Sequence, residues 1–138
     1  MKKIVGIAAA FLLFGLFAGA QTIEKGSLIS IHTIELTAHQ SIPVDRIINF
    51  LENELYPAFA KELGCDIKLM KGLNRETENK IGVVYYYSSK QHFNRFWNDN
   101  GDPTEEGNKA LSHVEHLRVE FRELGESKIL AIQDWSVN

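Results

Sequence analysis

The stretch IGVVYYYS, residues 81–88, decides the fold. Its β-branched and aromatic residues read as a strand. Side chains alternate across a strand, so Val83, Tyr85 and Tyr87 share one side and Val84 and Tyr86 the other. Both sides are apolar, whereas a sheet with one wet face shows a clean polar alternation. Residues 28–37 (LISIHTIELT) repeat the pattern, with Ile29 and Ile31 on one side and His32, Ile34 and Leu36 on the other. Both faces of this sheet are therefore expected to be covered.

Downstream, Ser88 or Ser89 can cap a helix over residues 90–98 (KQHFNRFWN), which places Trp97 on that helix. The loop at 98–103 interrupts it, and Thr104 caps a longer helix running to Leu124, with Glu105 and Glu106 where the helix dipole favours acid. Ala110, Val114, Leu117, Phe121 and Leu124 form its apolar stripe, Gly125 ends it, and residues 128–137 (KILAIQDWSV) form a last strand. Upstream, residues 65–73 (CDIKLMKGL) alternate as a strand, followed by a charged loop over 74–80. Before it, Val44, Ile47, Ile48, Leu51, Leu55, Ala58, Phe59 and Leu63 recur at three and four, the spacing of an amphipathic helix. Pro43 starts that helix, Pro57 is expected to kink it near Asn53, and Gly64 stops it. The order is β-α-β-β-α-β, an α+β ferredoxin-like arrangement with a four-stranded antiparallel sheet. Two crossover helices cover one face, and the simplest cover for the other is the same face of a second copy, a homodimer.

Two segments carry a resemblance: the Pro-bearing helix closing into a Gly and a strand (residues 55–65, LYPAFAKELGC), and the aromatic strand running into a Ser-capped helix (residues 85–93, YYYSSKQHF). With the element order, they make residues 28–137 resemble the dimeric α/β-barrel superfamily. That group includes antibiotic-biosynthesis-type monooxygenases, NIPSNAP-like and EthD-like proteins. The resemblance implies two ferredoxin-like subunits packed sheet to sheet, with a cavity between helices and sheet in each. It also implies a Trp or Tyr near the end of strand three and a His on the following helix, parts for which Tyr87 and either His92 or His113 stand as candidates. Trp97 on the helix and the insertion at 98–103 depart from that pattern.

The chain begins MKK, continues with an apolar run over residues 4–17 and then AGA at 18–20, the layout of a secretory signal peptide cleaved before Gln21. The run is short of the roughly 20 residues that cross a bilayer. We therefore expect export to periplasm or medium as a single domain, residues 21–138, with no membrane anchor after cleavage. The whole chain has 15 Lys and Arg against 18 Asp and Glu; without Lys2 and Lys3 its formal charge is −5. The five Arg are scattered and the balance is acidic, which argues against nucleic acid as a partner. Cys65 is the sole cysteine, so no intrachain disulfide framework is available. It reads first as buried filler, with an intermolecular bridge or a nucleophile as alternatives.

Among residues able to carry chemistry, His113, His116 and Glu120 fall three and four apart on one helix edge. That spacing suits a shared metal or an acid–base pair, or else a plain surface pair. His32 lies on the Ile34 and Leu36 side of its strand and points at the expected cavity if that side meets the helices. Tyr85 and Tyr87 are assigned to the same pocket and Tyr86 to the dimer seam, with Phe93, Phe96 and Trp97 closing one end. The loop at 98–103 is rich in oxygen ligands but fails the calcium-loop spacing. No Gly-rich phosphate loop, CxxC, HExxH or GxSxG occurs, and no cofactor is implied. The reading is a cavity for a small hydrophobic or aromatic molecule lined by His32, Tyr85, Tyr87, Phe93, Trp97 and His113. The alternative is a cofactor-free monooxygenase- or isomerase-like enzyme, with His113 or His92 carrying the proton and Tyr87 orienting the substrate.

Overall fold

The computed structural model describes residues 23–77 and 80–138. The expected signal peptide at 1–20 lies outside them. Four strands, β1 (Leu28–Ala38), β2 (Asp66–Lys71), β3 (Lys80–Tyr87) and β4 (Gly125–Ser136), form one sheet in the order β2-β3-β1-β4. Every neighbouring pair is antiparallel. With one helical crossover after β1 and another after β3, this is the ferredoxin-like α+β fold. None of the described helices is long and apolar enough to cross a membrane.

Residues directly paired across a ladder share a face, so register assigns the two sides of the sheet. Tyr87 stands opposite Leu28, Tyr85 opposite Ser30, Val83 opposite His32 and Ile81 opposite Ile34, all on the helix-facing side. Ile67 and Leu69 of β2 join that side through Tyr85 and Val83. The main core, built from Ile34, Leu36, Ile47, Leu51, Leu55, Ile81 and Val83, sits between this face and the first crossover. The outer side carries Ile29, Ile31, Val84, Tyr86, Ala131 and Trp135, together with Thr33, Gln133, Asp66 and Lys68. Trp135 is 57% exposed there.

The first crossover is α1 (Val44–Phe50), a widened π-helical turn over Leu51–Leu55, and α2 (Tyr56–Leu63). Pro57 supplies the reason. It has no N–H to give the carbonyl one turn back at Asn53, so the ladder re-registers there instead of continuing unbroken. Gly64 ends α2 at φ 59°, and Cys65 N–H reaches back to Ala60 C=O, a left-handed stop suited to glycine.

The second crossover corrects two expectations. The helix α3 (Lys90–Phe96) ends before Trp97, which is extended at φ −132° and ψ 135° and bridges to Pro103. The expected single helix from 104 to 124 is two helices, α4 (Glu105–His113) and α5 (Glu115–Leu124), hinged at Val114 (φ −107°, ψ 8°). Val114 is buried at the break, with α4 packed against α2 and α3 and α5 against β4. Between α3 and α4, Asn98 Oδ1 accepts from the backbone N–H of Asn100 and Asp102, each at 2.9 Å, so the Asn98 side chain folds the loop on itself.

Candidate functional site

β4 is exposed along nearly its whole length, and two cavities open beside it. The narrower, about 280 Å³, is walled by Tyr85 and Tyr87 of β3, Phe93 and Trp97 from α3 and its end, and Leu63 and Phe59 of α2. Ser30 and His32 of β1 and Ile132 and Asp134 of β4 line its strand side. The wider, about 600 Å³, continues past Tyr56, Leu51 and Leu55 toward Arg118 and Arg122. His32, Phe59, Tyr85 and Ile129 line both, so His32 stands at the junction.

The aromatic wall is braced from within. The rings of Tyr85 and Tyr87 lie nearly parallel with centroids 6.5 Å apart, and Phe93 meets Tyr87 edge-on at 5.2 Å. Trp97 Nε1–H donates to Tyr87 Oη at 3.0 Å, a contact made possible by the extended conformation of Trp97. Burial holds both tyrosine hydroxyls far above their ordinary pKa, as it does that of Tyr56. All three are neutral hydrogen-bonding groups at physiological pH. Cys65 is buried beneath Tyr87, and burial pushes its thiol up to about 12, which disfavours the thiolate a nucleophile needs.

One polar row crosses the apolar space. Ser30 Oγ donates to Asp134 Oδ1 at 2.5 Å and lies 3.1 Å from His32 Nε2. Ser30 is 2% exposed, and the His32 ring packs on Tyr85 at 4.7 Å between centroids. Burial lowers the His32 pKa from 6.5 while Asp134 opposes the shift, so the imidazole is neutral at pH 7.

Of the residues named from sequence, His32, Tyr85, Tyr87, Phe93 and Trp97 are brought to one cavity. His113 is not. It ends α4 on the outside, 52% exposed at the side chain, with Nδ1 2.7 Å from Glu62 Oε2. His92 is a brace rather than a proton carrier: Nε2–H donates to Leu63 C=O at 2.7 Å, and Nδ1 lies 3.0 Å from Ser88 Oγ. Both of its nitrogens are engaged by protein. The trio of His113, His116 and Glu120 is split by the hinge at Val114, and no group of three or more His, Cys, Asp or Glu able to hold a metal occurs among the described residues.

Besides Phe59, Leu63, Gly101 and Leu111, four strand residues line the cavity without having been assigned to it from sequence: Ser30, Asp134, Ile129 and Ile132. Ser30 shares a face with His32 by simple alternation, and that was the available signal. The other three depend on a bulge. Thr33 pairs with Ala131 but Ile34 pairs with Ile129, leaving Leu130 extra. Ile129 and Ile132 thus face the same side despite an odd separation.

No family model matches the chain, and no curated protein does. Solved structures of similar shape exist at low identity. They include a cofactor-independent oxygenase, SnoaB, from Streptomyces nogalater, at 12% identity and TM-score 0.46, covering 82% of this chain and 94% of that one. A dimeric protein of unknown function with a ferredoxin-like fold from Bacteroides fragilis aligns at 14% identity and TM-score 0.46, covering 81% and 97%. A putative antibiotic biosynthesis monooxygenase from Chloroflexus aurantiacus aligns at 14% and 0.45, covering 81% and 93%. The likeness to these neighbours is one of fold.

Proposed function

We propose that this chain is an exported homodimer that binds a small, mostly apolar, ring-bearing molecule in the cavity between sheet and helices. The observation that carries this reading is the cavity wall itself. Tyr85, Tyr87, Phe93 and Trp97 present aromatic surface beside one short polar row, the mix of apolar wall and few oriented polar groups typical of small-molecule sites. The dimer reading rests on the outer face, where register aligns Ile29, Ile31, Tyr86 and Trp135 and none of the described helices packs, with Trp135 57% exposed. Residues 21–138 should bind naphthalene in equilibrium dialysis. Ile132→Trp, which enlarges a half-exposed side chain at the cavity rim, should block that binding and leave thermal stability unchanged. Unimpaired binding to the variant would place the molecule elsewhere. Trp135→Asp should turn a dimer into a monomer in light scattering, and an unchanged mass would remove the sheet-to-sheet reading.

A second reading, a cofactor-free monooxygenase- or isomerase-like enzyme, is favoured by one observation: a neutral histidine at the cavity junction. Oxygen uptake or loss of the bound molecule on incubation with the wild-type protein, absent in His32→Gln, would support it over simple binding.

A further inference from the structure

The hydrogen bonds around Ser30 determine more than its own position. A serine hydroxyl has one proton to give and two lone pairs to offer. The Asp134 carboxylate oxygen at 2.5 Å takes that proton. Ser30 Oγ therefore meets His32 Nε2 only as an acceptor, and the proton in that 3.1 Å contact belongs to the imidazole. A neutral imidazole carries one N–H, so placing it on Nε2 leaves Nδ1 with a bare lone pair. Among the described residues nothing engages Nδ1, and no buried side-chain nitrogen or oxygen lacks a partner. Nδ1 thus lies on the accessible edge of the ring, beside the cavity that His32 lines.

We propose that Ser30 and Asp134 are positioning residues that lock His32 in its Nε2–H form, so that Nδ1 receives an O–H or N–H of the bound molecule. This rests on the cavity reading above and narrows it: the ligand class is an apolar ring or ring system bearing one hydrogen-bond donor. The site prefers such a molecule over its alkylated counterpart, because burying Nδ1 without a donor forfeits the hydrogen bond it had with water. The row lies across the apolar wall rather than at its ends, so the donor sits beside the ring system.

Two measurements test it. Equilibrium dialysis compares 2-naphthol, 2-methoxynaphthalene and naphthalene on the wild-type protein. The expected result is tighter binding of 2-naphthol by about tenfold, the size of one buried neutral hydrogen bond. Equal binding of all three overturns the acceptor role while sparing the cavity. Binding of none overturns the cavity reading and this inference with it. Independently, nitrogen-15 spectra of histidine-labelled protein report the tautomer of His32, whose signals are assigned by their loss in His32→Gln. The Nε2–H form is expected, and the Nδ1–H form overturns the proposal whatever the dialysis shows. In Asp134→Ala, on an exposed strand position, the Ser30 proton is free to turn to Nε2. The tautomer should then reverse and the preference for 2-naphthol collapse. Retention of the Nε2–H form and of the tenfold preference would remove Ser30 and Asp134 from the role.

Discussion

His92→Ala should be among the most damaging single substitutions at a part-exposed position of this protein. The Schellman-type stop at Gly64 uses the carbonyls of Ala60 and Lys61 and leaves that of Leu63, which His92 Nε2–H takes at 2.7 Å. Leu63 is 1% exposed, so losing this donor leaves an acceptor with little access to water, a cost of about 1–2 kcal/mol. The ring also meets Tyr87 edge-on at 5.4 Å and Phe96 at 5.8 Å, and losing both contacts adds about 1 kcal/mol or more. The total of roughly 2–3 kcal/mol corresponds to a fall in Tm of roughly 8–12 °C for a domain of this size. The assay is thermal unfolding by circular dichroism at one fixed protein concentration, because an oligomer's Tm depends on it. His113→Ala is the internal control. It breaks only a part-exposed pair with Glu62, worth about 0.2–1 kcal/mol, and should move Tm by no more than about 4 °C. A His92→Ala protein melting within 2 °C of wild type, or a His113→Ala protein melting as low as His92→Ala, would refute the assignment of the first as brace and the second as surface.

Three further outcomes follow from the same contacts. With its pKa near 12, the Cys65 thiol should resist a thiol-disulfide reagent at pH 8 in the folded protein and react once it is unfolded; rapid reaction in the native state would show an activated thiolate. His32 has a folded pKa below its unfolded 6.5, so the stability it contributes is full above about pH 6.5 and is lost as pH falls through the lower folded value. His32→Gln should therefore flatten the acid side of the stability curve, and an unchanged slope relative to wild type would contradict the shift. Gly107→Ala should destabilise by about 2 kcal/mol or more, because its Cβ would lie 2.1 Å from the Phe96 carbonyl oxygen; a neutral effect in urea unfolding would mean the α3–α4 junction is looser than described.

Much of the fold was legible because period and punctuation agree. The two-faced apolar strands, the Pro57 defect and the Gly64 stop each map onto one local rule, and each is found where residue chemistry puts it. The long helix after residue 104 was misread because its apolar stripe continues through Val114; a hinge that keeps the stripe aligned leaves no trace in the period. Trp97 followed the helical pattern of its neighbours, yet its pairing with Pro103 comes from a chain reversal built by Asn98, five residues before Pro103. His32, Tyr85 and Tyr87 could be assigned to a cavity because alternation alone decides their side. Asp134 could not, since its partnership with Ser30 depends on a register shifted by one bulged residue in β4. His92 and His113 illustrate the complementary failure: a histidine beside an apolar stripe looks the same in sequence whether it serves a cavity, a carbonyl or a surface carboxylate.

The two tryptophans provide one decisive reporter, since Trp97 lies in the cavity wall and Trp135 on the outer sheet face. We would follow both indole N–H signals of nitrogen-15-labelled protein, residues 21–138, during addition of 2-naphthol. The Trp97 signal should move progressively and saturate, because the ligand packs beside an indole already bonded to Tyr87, while the Trp135 signal stays in place. A Trp97 signal unmoved at saturating 2-naphthol, or a shift confined to Trp135, would contradict a ligand site between sheet and helices.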